Sequence, residues 1–187
     1  MKKLQYNSPV ILTYVLLCAA ALGLNRLTAG RTNALLFSVY RSSWGDVLTY
    51  VRLFGHVIGH SSWQHFFNNT LYLLIVGPSV EEKYGSRNLL GAMAVTAVVS
   101  GLVHCFLSPN TALLGASGIV FMLIFLSSLA GARNGQIPLT LILVAVLYLG
   151  QEIYDAVFVQ DGISHLTHII GGVCGTVLGF SMRKGRR

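Results

Sequence analysis

Apolar residues gather along this chain in six blocks, at about residues 9–24, 63–76, 89–107, 117–130, 137–149 and 163–182, separated by charged or turn-rich punctuation. Blocks of this length predict helices, and about 20 helical residues are needed to cross about 30 Å of hydrocarbon. The third and sixth blocks reach that length. The others fall somewhat short, as helices around a thin or water-filled region would. Between the first two blocks, residues 26–60 are too long for an ordinary connector and mix Phe37, Tyr40, Trp44, Tyr50 and Phe54 with arginines. That mixture predicts a segment lying at the membrane interface, folded as a short hairpin of helices.

Composition moves the solvent from water to lipid. Of 187 residues 53% are hydrophobic and only 10% charged, where a soluble domain carries about 25% charged residues. The net charge of +7 could suit nucleic acid, but its placement argues for topology instead. Lys2 and Lys3 stand at one end, Arg183, Lys184, Arg186 and Arg187 at the other, and Lys83 in a connection. Basic residues concentrate on the cytoplasmic side of membrane spans, so six helices with both termini cytoplasmic are expected. The long first loop, with Arg26, Arg31, Arg41 and Arg52, then falls outside and runs against the rule. Lys2-Lys3 before an apolar run also has the outline of a signal peptide, yet no small-x-small cleavage site leads into a soluble domain, and Leu17 before Cys18 does not suit a lipoprotein. Cys18, Cys105 and Cys174 lack C-x-x-C spacing and read as packed thiols.

Candidate chemistry starts at Gly115-Ala116-Ser117-Gly118, a small-residue turn that opens the fourth block. The exposed N–H groups of a helix N-terminus favour developing negative charge, and the glycines permit close approach. A lone G-x-S-G is a weak signal, because serines pack in membrane helices constantly. At the second block, Ser61 followed by Gln64 fits a capping box and puts His65 in the first helical turn, with Asn69 four residues on and Tyr72 further along the same face. These polar groups are either helix-packing hydrogen bonds or a donor site, since lipid cannot satisfy them. His56 and His60 share helical spacing and could join His65 around zinc, but no H-E-x-x-H glutamate accompanies them, and hydrogen bonds holding the loop are the expected role. Glu81, Glu82 and Lys83 predict a solvated turn, in which one carboxylate could hold the loop. Gly91, Ala94, Ser100 and Gly101 predict close packing along the third helix.

The sixth block supplies a partner for the serine. His168 is followed at helical intervals by Gly172, Gly175 and Gly179, with Gly171 alongside, so a histidine stands above a glycine groove. Such a groove admits another helix backbone to backbone, and the helix opened by Ser117-Gly118 is the expected occupant. With both termini inside, helices two, four and six all run inward. His65, Ser117 and His168 then share one depth, just below the outer surface.

These motifs resemble those of rhomboid intramembrane serine proteases in their minimal six-helix form. The residues carrying the resemblance are His60, His65 and Asn69, then Gly115-Ala116-Ser117-Gly118, then His168 with Gly171 and Gly172. Arg52, Glu81 and Tyr84-Gly85 fit as well. The resemblance covers essentially the whole chain as one domain, residues 1–187: an all-α membrane protein, a six-helix bundle with a long interfacial first loop. It implies Ser117 as nucleophile and His168 as general base and then acid, without a carboxylate third member. It further implies that His65, Asn69 and the Ser117 backbone N–H donate to the oxyanion. Expected partners are transmembrane protein substrates and the lipid bilayer of the cell membrane, with neither metal, cofactor nor nucleic acid. The active site is expected to open toward the outer side. Substrates would be single-span proteins cut near a helix end rich in small and helix-breaking residues.

Two positions depart from the family pattern. Phe121 stands where many relatives stack a tyrosine on the base, which keeps the ring and loses the hydroxyl; Val51-Arg52 stands for Trp-Arg, which leaves the anchoring of the first loop open. A catalytically inactive relative that binds and sorts membrane clients would be expected to lack Ser117 or His168. A small transporter would carry paired intramembrane charges or an inverted repeat, and neither is visible.

Overall fold

A computed structural model describes residues 6–108, 110–130, 136–151, 154, 158 and 165–184. Among the described residues the chain is helical, and extended pairing is confined to a single antiparallel bridge between Val39 and Leu113. The helices are α1 (Pro9–Leu27), α2 (Val47–Gly55), α3 (Trp63–Tyr84), α4 (Ser86–Leu107), α5 (Ser117–Ala130), α6 (Leu139–Val144) and α7 (His165–Lys184). A π-helical turn at Asn33–Phe37 precedes α2, and another at Ala145–Leu149 continues α6. Glu152, Asp155, Arg133 and the terminal basic residues Lys2, Lys3, Arg186 and Arg187 lie outside the described residues, as do the side chains of residues 183 and 184.

Pro9–Leu27, Ser86–Leu107 and His165–Met182 are long and apolar enough to cross a membrane; Ser117–Ala130 and Leu139–Tyr148 are shorter apolar helices. The first block is therefore longer than its apolar run suggests, because the helix continues through Asn25 and Arg26. The second differs more. Its apolar run stops at residue 76, yet α3 passes through Pro78 and ends only at Tyr84, capped by Gly85. An interior proline forfeits one backbone hydrogen bond. Burial beyond it offsets that loss: Val80, Glu81 and Tyr84 are all buried, and the Tyr84 hydroxyl donates to the Leu126 carbonyl of α5 at 3.1 Å.

The solvated turn expected at Glu81 is corrected by its burial, with only 4% of its surface exposed. Its carboxylate accepts from the Ser8 hydroxyl at 2.5 Å and from the backbone N–H groups of Val10 and Ile11 at 3.0 and 3.1 Å. It accepts from the Ser86 hydroxyl at 2.7 Å as well. Those N–H groups belong to the first turn of α1, which has no partner within its own helix. Glu81 thus caps α1 from α3 and ties the start of α4 to both. Replacing it with alanine is expected to cost about 3 kcal/mol, read as a lowered unfolding midpoint in detergent; an unchanged midpoint would remove it from this role.

The core forms around α5. Ile119, Met122, Leu123 and Leu126 are fully enclosed, with Leu22, Leu73 and Leu89 arriving from α1, α3 and α4. α5 packs most closely on α7 and then on α3, whereas α4 carries α2 on its flank. Of the small residues expected to pack α4, Gly101 meets Leu53 and His56, but Gly91 is exposed with nothing near it.

Candidate active site

Ser117 opens α5 after a turn whose backbone is stitched to the first loop. Val39 and Leu113 exchange two backbone hydrogen bonds of 2.9 Å, and the Gly115 N–H donates to the His56 carbonyl at 2.9 Å. Gly115 sits at φ +132°, a conformation that side-chain-bearing residues rarely adopt. A Cβ there would also lie 2.7 Å from the His65 ring. The turn is therefore glycine because the His65 imidazole occupies the space beside it. Ser117 is half-buried at the head of the helix.

His65 enters from the start of α3. The capping residue is Ser62, one position later than the capping-box pattern predicts: its hydroxyl accepts from the His65 N–H at 3.1 Å. The Ser61 hydroxyl instead lies 3.2 Å from His65 Nδ1.

His168 comes from the first turn of α7 and lies against Phe121, one turn after Ser117. The two rings are nearly parallel, 6° apart, with centroids separated by 4.5 Å. Tyr148, in the π-helical turn after α6, makes an edge-to-face contact with the Phe121 ring, centroids 5.9 Å apart. Below the histidine, α5 lies along the glycine face of α7: Gly171 against the Gly118 carbonyl, Gly172 against the Phe125 ring, and Gly175 against the Met122 backbone. Ser117, His65 and His168 are thus brought to one end of α3, α5 and α7. The Phe121 contact and the Gly118–Gly171 contact register the serine and histidine helices against each other.

His60 and Asn69 meet beside this group. His60 Nε2 lies 3.2 Å from Asn69 Nδ2 and His60 Nδ1 lies 3.0 Å from the Ile58 carbonyl. His56 is fully buried and donates from Nε2 to the Ala97 carbonyl at 3.0 Å. Among the described residues no three His, Cys, Asp or Glu side chains gather as a metal site. Arg52, expected in the first loop, is buried there. Its Nε donates to the Leu35 carbonyl at 3.1 Å, its guanidinium reaches Asp46 at 3.4 Å, and it stacks over Tyr40 at 4.6 Å. The loop is held by that internal network, while Val51 points outward, 42% exposed. Asp46 as an ion partner and Tyr148 as a packing partner carry no sequence motif that could have found them.

Burial holds the His56 and His60 rings neutral, with pKa values lowered from the ordinary 6.5 to about 4; for His60, proximity to His65 adds to the effect. An unfolded chain takes up protons on these rings below about pH 6.5, whereas the folded protein does so only near 4. Their contribution to stability is therefore complete above pH 6.5 and declines as pH falls toward 4, by about 3 kcal/mol for each ring. Unfolding midpoints in detergent between pH 7.5 and 4.5 are expected to fall, most steeply below 6. A flat profile would contradict the burial of these rings.

The fold and this placement define an all-helical integral membrane protein with a serine and two histidines converging at one end of its bundle. The Rhomboid domain family matches residues 48–185, and the chain belongs to that family. It is 31% identical over 139 residues to Rhomboid-related protein 1 of Caenorhabditis elegans, covering 69% of this chain and 39% of that protein. It is 29% identical over 140 residues to Rhomboid protease GlpG of Pectobacterium atrosepticum, covering 73% and 50%. With Rhomboid-like protein 11, chloroplastic, of Arabidopsis thaliana it shares 27% over 139 residues, covering 67% and 50%. The chain spans half or less of the length of each of these relatives.

Proposed function

We propose that this chain is an intramembrane serine endopeptidase that cleaves transmembrane segments of membrane proteins through a Ser117/His168 dyad. The observation that carries this reading is the stacking of His168 on Phe121, one turn beyond Ser117 on the same helix. An imidazole held beside a helix-head serine can take the hydroxyl proton as the oxygen attacks a peptide carbonyl, because serine is a poor nucleophile without such a base. The proton then passes from His168 to the leaving amine, and the same base activates water to release the acyl group.

Negative charge on the carbonyl oxygen would be met by the Ser117 N–H, His65 and Asn69. With the Ser61 hydroxyl donating to His65 Nδ1, the proton of a neutral ring sits on Nε2, the atom beside Gly115. The rest of the reading is a single domain over residues 1–187 with six spans and cytoplasmic termini, set in the cell membrane, with the site opening toward the outer side. Arg52, Gly171 and Gly172 serve as structural supports in it. No metal or cofactor takes part.

The test is cleavage of a single-span reporter by the purified protein in liposomes. Ser117-dependent products cut near one end of the reporter helix are expected, with the rate unchanged by chelators. Loss of activity on chelation would reinstate a metal, and intact reporter would favour an inactive client-binding protein.

A further inference from the structure

We infer that His60 is a positioning residue for the oxyanion site: its ring fixes the carboxamide of Asn69 so that an amide N–H, and not the carbonyl, is offered to the reacting oxygen. This rests on the reading of Asn69 as an oxyanion donor.

The hydrogen-bond partners decide the tautomer. A carbonyl only accepts, so His60 Nδ1, 3.0 Å from the Ile58 oxygen, carries the proton. In the neutral ring Nε2 is then a bare acceptor, and the group 3.2 Å away must be the Asn69 amide nitrogen. That assignment sets which end of the carboxamide faces which way. One N–H of Asn69 goes to His60, and the second remains for another acceptor.

The ring itself cannot shift easily. His60 is 1% exposed, with edge-on contacts to His65 at 5.0 Å and to Phe66 at 5.5 Å. Its backbone is held too: the His60 carbonyl accepts from Asn33 Nδ2 at 3.0 Å, and the Asn33 N–H donates to Asn25 Oδ1 of α1 at 3.0 Å. A chain of polar contacts thus runs from the end of α1 through the first loop to Asn69. Without the acceptor at Nε2, the terminal torsion of asparagine, broad and roughly two-fold, can turn the carbonyl oxygen toward the site. Facing a developing oxyanion, that oxygen repels where the N–H attracted.

A double-mutant cycle on reporter cleavage tests the assignment. His60→Leu is expected to lower kcat by about 10- to 100-fold with KM nearly unchanged. In an Asn69→Ala background the same change is expected to lower kcat by less than about 3-fold, because the group through which His60 acts is gone. His60→Gln, whose side-chain oxygen can accept from Asn69, is expected to recover most of the lost kcat. Equal losses in both backgrounds would overturn the inference and leave His60 a purely structural residue. So would a folded His60→Gln protein, with a wild-type unfolding midpoint, as slow as His60→Leu. Cleavage that persists in Ser117→Ala would instead bring down the dyad and the oxyanion reading together, an outcome separable from the other two.

Discussion

Ser117→Ala is expected to abolish reporter cleavage while leaving the unfolding midpoint within about 1 kcal/mol of the parent. The hydroxyl is small, half-buried and at a helix start, so its loss removes little packing. In the proposed mechanism it removes the oxygen that attacks. His168→Ala is expected to be equally inactive but less stable, because its ring is stacked on Phe121 at 4.5 Å and buried at the top of the α5–α7 contact. Members of a catalytic unit fail together: in a dyad, either deletion leaves only what binding and the oxyanion donors supply, and the double variant is expected to be no worse than the singles. Cleavage assayed in liposomes beside thermal unfolding separates the two effects. Residual cleavage by Ser117→Ala at more than a hundredth of the parent rate would refute the nucleophile.

Gly171→Val is expected to disable the protein by a different route. A Cβ at this position would fall on the Gly118 carbonyl and come within 3.1 Å of Phe121 Cβ. Neither neighbour can yield cheaply, because one is backbone and the other begins the side chain that stacks on His168. Relief requires α5 and α7 to separate, at a cost of about 1–3 kcal/mol in overpacking. The same separation draws His168 away from Ser117. A misplacement of about 1 Å can cost about 100-fold in rate, so activity should fall much further than stability. Gly91→Ala provides the contrast, since nothing lies within 4 Å of its Cβ position in the middle of α4. There alanine is expected to gain about 0.5–1 kcal/mol from reduced backbone freedom in the unfolded chain and to leave cleavage unchanged. Similar behaviour of the two variants would mean that the glycine face of α7 does not register the site.

These two predictions draw on different amounts of sequence information. Ser117 and His168 stand out in the chain because a polar residue in an apolar block is costly and must face protein or water. The glycine face below His168 is legible by helical periodicity alone. Each motif alone leaves the choice between packing and catalysis open: a G-x-S-G turn, a histidine four residues before an asparagine and a lone later histidine each have an ordinary explanation. Their shared depth, expected from the order of the apolar blocks, raises them above it, and the structure brings them to one end of α3, α5 and α7. Cap positions show the limit at short range: Ser61 with Gln64 fits the capping-box pattern, yet the backbone chose Ser62, three residues before His65.

What the sequence by itself determined was the solvent and the helical character of the chain, since composition and the length of apolar blocks follow from lipid's inability to satisfy backbone polar groups outside helices. It also determined the small-residue face that one helix offers another. The tertiary structure alone decided how the pieces were tied. Glu81 caps a helix whose Ser8 lies 73 residues earlier. The Gly115 N–H finds the carbonyl of His56, and Leu113 pairs with Val39. These links are made largely through backbone atoms, which every residue carries. No side-chain pattern can announce them, and they exist only once the chain has brought distant segments within hydrogen-bonding reach.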